Sequence, residues 1–360
     1  DIGLGIPAEP LFRSSVLLDM RKMRILQAII DDYILTATPV GSRTVSKKSD
    51  IALSSATIRN VMSDLEEMGY LEQPHTSAGR IPSEKAYRLY VNSIMHRAML
   101  TESEQRFIQN CYSNTINKVD EIVRQTAWVL SNMTKYTSLV LSPNINAVKL
   151  KHIQLVPVTE GKALVVIVTD AGITRDYMIR VPRDITAEQF ERISRILTER
   201  LRNKRLDTVN QEEIPELYVT MKEQRDFLND TLDTVRKSAE NGSKLELSGA
   251  NNMLNYPEYS DMDKARSFLN VIESKDMLRN MLTEATKVEF SVTIGTENPS
   301  EDMKDCSLVT ATYKVGGTPL GSLGVIGPTR MDYARVLAVL GQLGKSLGTI
   351  LTNMFEEEQR

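Results

Sequence analysis

The sequence predicts a multidomain α+β protein. Three observations carry that expectation. The 360 residues suffice for two or three separately cored domains. The first hundred residues are mostly helical in period, with one short hairpin. The rest mixes alternating strand runs with long amphipathic helices. Hydrophobic content of 41% and charged content of 25% are those of a globular chain, which excludes a mainly disordered one. The longest apolar runs, such as Ala163–Val168, are too short to span a bilayer, so no membrane protein is expected.

Residues 1–18 read as a leader, native or appended, because Asp1–Ser15 carries no helical period and no signal-peptide pattern. Met23–Tyr33 then places Ile25, Leu26, Ile29, Ile30 and Tyr33 on one helical face. Pro39 and Gly41 break the pattern, and a short helix is expected over Ser42–Lys48. A third helix, Ser55–Met68, is announced by the Ser54-Ser55 hydroxyls and stopped by Gly69. It turns Ile58, Val61, Met62, Leu65 and Met68 inward. Tyr70–Gln73 reads as a strand, His75–Arg80 as a polar hairpin tip, Ile81-Pro82 as the return, and a helix starts near Ser83. Three helices and a hairpin in that order predict a winged helix-turn-helix.

Further on, Thr101–Lys135 is helical, with Trp128 expected in a core or an interface. Strands are expected at Ser138–Leu141, Lys149–Pro157, Ala163–Thr169 and Thr174–Val181, with Glu160-Gly161 as a turn. The helix Ile185–Leu201 follows. Charged amphipathic helices (Ile214–Ser238, Met262–Ser274, Lys275–Ala285) flank a Gly/Asn-rich stretch, Lys244–Leu254. Strands return at Val288–Ile294, Cys306–Val315 and Pro319–Ile326 before an apolar helix, Tyr333–Phe355. Strands on both sides of a helical block read either as one α/β domain interrupted by an insertion or as three consecutive domains.

The outer face of the third helix carries the candidate chemistry. Its first turns expose Ser55, Thr57, Arg59 and Asn60: small residues that allow close approach, and forked side chains that match guanine and adenine edges. Ser42, Lys47 and Lys48 suit phosphate anchoring, and His75 and Arg80 lie on the wing. Net charge is -3, yet residues 19–97 hold 11 Lys/Arg against 9 Asp/Glu. So small an excess makes one module a weak binder of double-stranded DNA, and two joined modules are needed.

Other chemistries find little support. Cys111 and Cys306 stand far apart, and His75, His96 and His152 are scattered, so neither a disulfide framework nor a metal site is expected. Gly324–Pro328 lacks phosphate-loop spacing and reads as a turn before the last helix. Glu297, Asp302 and Asp305 read as loop acids, and Arg330 and Asp332 as caps or bridges of the last helix. No nucleophile or acid–base constellation and no cofactor fingerprint stands out, so the chain is not expected to be an enzyme.

The run Ser54–Met62, then Leu65-Glu66, Gly69-Tyr70 and Gln73–Pro82, resembles the heat-inducible transcription repressor HrcA family of bacteria. The resemblance continues through Leu247–Asn255, Ile294–Asn298 with Asp305–Val309, and Leu323–Tyr333, and so spans Asp19–Phe355. It implies a winged helix at 19–100, a GAF-like α/β domain at 101–205 plus 287–360, and an inserted α+β dimerising domain at 206–286. It further implies a cytoplasmic homodimer, at the nucleoid when bound, on the CIRCE inverted repeat upstream of groE- and dnaK-type chaperone operons. The chaperonin GroEL is the implied modulator. Three other readings remain open: a small-molecule-gated repressor, an enzyme targeted by its winged helix, and an adaptor whose winged helix binds protein.

Overall fold

The periodic segments fold into three antiparallel sheets and twelve α-helices among the described residues of a computed structural model. Those residues are 18–48, 51, 53–75, 78–95, 98–112, 119–143, 149–170, 174–183, 185–220, 225–240 and 244–357. The leader apart from Leu18, the hairpin-tip residues Thr76 and Ser77, and His96 lie outside them. The result is a mixed α/β, multidomain architecture.

In the N-terminal unit, α1 (Met20–Thr36) buries Ile25, Leu26, Ile29 and Ile30, and Tyr33 is half-buried beside them. After α2 (Ser42–Ser46) comes α3 (Ser55–Glu67), which buries Ile58, Val61, Met62 and Leu65. Strands β1 (Leu71–Glu72) and β2 (Ile81–Pro82) form the hairpin. Ser83 caps α4 (Glu84–Leu89), which runs into a π-helical turn, Tyr90–Ile94. The Ser83 hydroxyl also donates to the Gly69 carbonyl at 2.7 Å, so the helix leaving the hairpin is fastened to the end of α3.

Two further helices, α5 (Glu102–Cys111) and α6 (Val119–Thr134), lead into the main sheet. Its order is β7 (Leu245–Ser248), β3 (Thr137–Leu141), β10 (Thr318–Pro328), β9 (Cys306–Val315), β8 (Phe290–Ile294). Alternation along β10 sorts its two faces. Ser322 donates to Leu282 of α11 (Lys275–Ala285), whereas Leu323 packs toward Gly344 of α12 (Tyr333–Glu357). α6 joins α12 on that second face, its Ala127 carbonyl accepting from Ser138 at 2.6 Å. The sheet is therefore sandwiched, its three central strands β3, β10 and β9 buried almost continuously and its edge strands β7 and β8 mostly half-buried.

A separate three-stranded sheet comprises β4 (Leu150–Thr159), β5 (Lys162–Thr169) and β6 (Thr174–Arg180). One side packs on α7 (Ala187–Leu201), and the Phe190 ring meets Phe227 of α9 (Arg225–Glu240) edge-on at 6.5 Å. Ser194 and Thr198 of α7 accept the Leu155 and Ile153 amides at 2.9 and 3.1 Å, which closes the free edge of β4. The short α8 (Pro215–Thr220) joins this unit, while α10 (Met262–Glu273) precedes α11.

Strand pairing divides the chain at places other than the expected boundaries. Residues 150–201, expected in the larger α/β unit, make a sheet of their own. Residues 245–285, expected in the insertion, supply β7 and α11 to the main sheet. Local alternation cannot reveal this, because a strand's period is the same whichever sheet it joins. Gly324–Pro328 is the end of β10 and not a turn. Trp128 is 47% exposed on α6, which excludes it from the core.

Candidate nucleic-acid interface

The α3 helix begins at a built cap. Ser54 Oγ accepts from the Thr57 amide at 3.1 Å and shares a hydrogen bond with the Thr57 hydroxyl at 2.9 Å. Ser55 Oγ meets Ser46 Oγ at 3.0 Å, which seats the end of α2 on the first turn of α3. Ser55 and Thr57 are consequently half-buried, while Ala56, Arg59, Asn60 and Ser63 are exposed in succession along the outer face. The buried face opposite them is apolar throughout. The helix is thus fixed in the core on one side and offers hydrogen-bonding side chains on the other.

Acids crowd the far end of α3 and are largely neutralised there. Asp64 pairs with Lys22 at 2.9 Å, and Glu66 with Arg80 at 2.7 Å. Arg80 Nε also donates to Glu66 at 2.9 Å. The wing arginine is therefore clamped against α3 and only 17% exposed. Its backbone is fixed as well, exchanging two 2.9 Å hydrogen bonds with Val40. Gly79 makes that approach possible, since a Cβ there would lie 2.5 Å from the Val40 carbonyl carbon.

The remaining predicted residues divide in the same way. Lys47 and His75 are exposed. Lys48 is turned inward, donating to the Ala28 carbonyl at 2.9 Å with Asp32 at 3.8 Å, and so ties α2 to α1. Ser42 is half-buried at the start of α2. The structure brings Ser55, Thr57, Arg59 and Asn60 together on one helix and puts Arg80 beside its far end. It also exposes Arg43 and Thr44 on α2, which the sequence reading passed over. Their signal was present: Arg43 stands four residues before Lys47, one helical turn away.

No group of three or more His, Cys, Asp and Glu converges as a metal site among the described residues, and no helix there is long and apolar enough to cross a membrane. Glu297 and Asp305, expected as loop acids, are ion-paired with Arg88 and Lys264. Asp332 caps α12 by accepting the Arg335 amide at 3.1 Å.

Comparison with known proteins gives one answer. A family model described as HrcA protein C terminal domain matches residues 120–337. The heat-inducible transcription repressor HrcA of Pelotomaculum thermopropionicum is 43% identical over 93% of this chain and 97% of its own length. That of Acetivibrio thermocellus is 45% identical over 91% of this chain and 94% of its own. A crystal structure described only as a hypothetical protein superposes with a TM-score of 0.62 at 25% identity, over 94% of this chain and 99% of the other. With similarity of this degree along nearly the whole length, this chain belongs to the heat-inducible transcription repressor HrcA family.

Proposed function

We propose that the protein is a dimeric transcription repressor whose N-terminal winged helix-turn-helix reads double-stranded DNA through α3. The exposed row Ala56, Arg59, Asn60 and Ser63, backed by a buried apolar face, carries this reading. Arg59 and Asn60 make base-edge contacts, and Ser55 and Thr57 contact the adjacent backbone. Lys47, with Arg43, anchors phosphates beside α2, and His75 extends from the wing. Arg80 and Lys48 hold the reading helix in place through Glu66 and the Ala28 carbonyl.

Dimerisation belongs to the proposal because one weakly basic module binds loosely. The surface available is the open face of the three-stranded sheet, where Val156, Leu164 and Met178 lie in cross-strand register. Val156 and Met178 are 40% and 55% exposed, an apolar row suited to a second copy. In this reading the main sheet with α6 and α12 is the GAF-like domain, and the β4–β6 unit is the inserted dimerising domain. A two-fold dimer reads an inverted repeat. Its operator is the CIRCE element upstream of groE- and dnaK-type operons, and chaperonin GroEL maintains its active form.

The test is binding of the purified protein to a CIRCE duplex and to a scrambled duplex at two salt concentrations. Clear preference for CIRCE supports the proposal, and equal binding at both salts overturns it. A second reading, gating by a small molecule, draws on a groove of about 480 Å³ between β9 and α12, flanked by Lys314, Lys345 and Phe290. Release of DNA by a metabolite at constant temperature, without chaperonin, would favour it.

A further inference from the structure

The N-terminal unit is held to the rest of the chain by contacts that the proposed function leaves unused. Glu84, in the first turn of α4, accepts from the Thr296 amide at 3.1 Å and from its hydroxyl at 2.5 Å. One turn on, Arg88 donates to Glu297 at 2.8 Å and to the Val292 carbonyl at 2.7 Å, and a second guanidinium nitrogen also binds Glu297. Glu297 is itself positioned by the Ile294 amide at 2.8 Å. Between these two, the Tyr87 ring packs against Tyr333 at 6.1 Å.

A second attachment lies at the end of α1. Arg330 donates to the Ile34 carbonyl at 2.8 Å. That carbonyl belongs to the last helical turn, where acceptors lack intrahelical partners and a cation is favoured. Arg330 is 8% exposed, paired with Glu258, and lies 5.5 Å from the Tyr256 ring centroid. Contacts on two different helices resist rotation about either one.

We infer that this junction sets the half-site spacing that the dimer accepts, with Glu84, Arg88 and Arg330 as positioning residues. The inference rests on the proposed reading of an inverted repeat by a two-fold dimer. In such a dimer the separation and tilt of the two α3 helices follow from how each N-terminal unit is seated on its core. A seat that does not yield admits one spacing. A loosened seat lets each unit find its half-site independently, at the expense of discrimination.

The experiment measures affinity for inverted repeats whose central spacer is native or altered by 2 or 5 base pairs, and for a single half-site. The proteins are wild type, Arg88→Ala and Thr296→Val. Wild type should prefer the native spacer by at least about tenfold over one changed by half a helical turn. Both variants should narrow that ratio to about threefold or less while single half-site affinity stays within about twofold. If Arg88→Ala does not fold, Thr296→Val carries the test, because it removes only an exposed hydroxyl from the seat. Retained discrimination in the folded variants overturns the inference, as does a wild type that prefers inverted repeats but ignores spacing. A wild type indifferent to inverted repeats would instead defeat the reading beneath it, and this inference with it.

Discussion

Arg80 of the hairpin and Glu66 of α3 form an ion pair at 2.7 Å across fourteen residues of sequence. The pair makes the wing and the reading helix one body and masks a charge otherwise available to a phosphate. Glu66→Gln should unmask it. The expected outcome is tighter binding at low salt and a log K against log salt slope steeper by about 0.9 per subunit, the value for one added phosphate contact. A salt titration by fluorescence anisotropy checks this, and an unchanged slope would show that Arg80 stays out of reach of DNA.

Ser54 closes α3 through the Thr57 amide at 3.1 Å. Ser54→Ala should cost about 1 kcal/mol, within the usual range for a lost N-cap. Urea denaturation should show a lower midpoint with an unchanged slope, and DNA affinity should fall with it, since the same turn carries the candidate contacts.

The Tyr87 hydroxyl is buried at the junction with no hydrogen-bond partner among the described residues. An unsatisfied buried hydroxyl costs roughly 1–3 kcal/mol, so Tyr87→Phe should leave stability unchanged or raise it. Loss of more than about 1 kcal/mol on thermal unfolding would mean that the hydroxyl has a partner in solution, since a phenylalanine ring fills the same space.

Acid should loosen the contact between α5 and α12. The Thr101 amide, then the Arg335 guanidinium and the Thr101 hydroxyl, lower the Glu104 carboxyl from an ordinary 4.5 to about 2. A carboxylate favoured in the folded state contributes stability above its unfolded pKa and loses that contribution as protons bind. The contribution is therefore complete above about pH 4.5 and lost as pH falls toward 2. Glu104→Gln should flatten the stability profile in that window, and a profile identical to wild type would refute the assignment.

The parts legible in the sequence are those set by local period. Ile58, Val61, Met62 and Leu65 as the inward row and Arg59 and Asn60 as the outward one follow from 3.6-residue spacing, and Ser54 as cap from its hydroxyl just before them. Sheet membership does not. β3 pairs with β7 across 110 residues, as in Ser138 with Ser248, and nothing in either segment names its partner. The same distance hides the tethering of side chains. Arg80 and Lys48 read as free cations because Glu66 and the Ala28 carbonyl become their neighbours only on folding. Gly79 lies in the segment read only as a polar hairpin tip, and the approach of Val40 from another loop, which requires it, is set by the fold.

The central claim is that α3 reads bases through its exposed face. Its most direct test is the affinity of wild type and Arg59→Ala for a CIRCE duplex and a scrambled one, each at two salt concentrations. The account predicts a loss of about 1–3 kcal/mol per half-site on CIRCE and little change on scrambled DNA. Equal losses on both duplexes would reduce Arg59 to a phosphate contact, and no loss on either would contradict the claim outright.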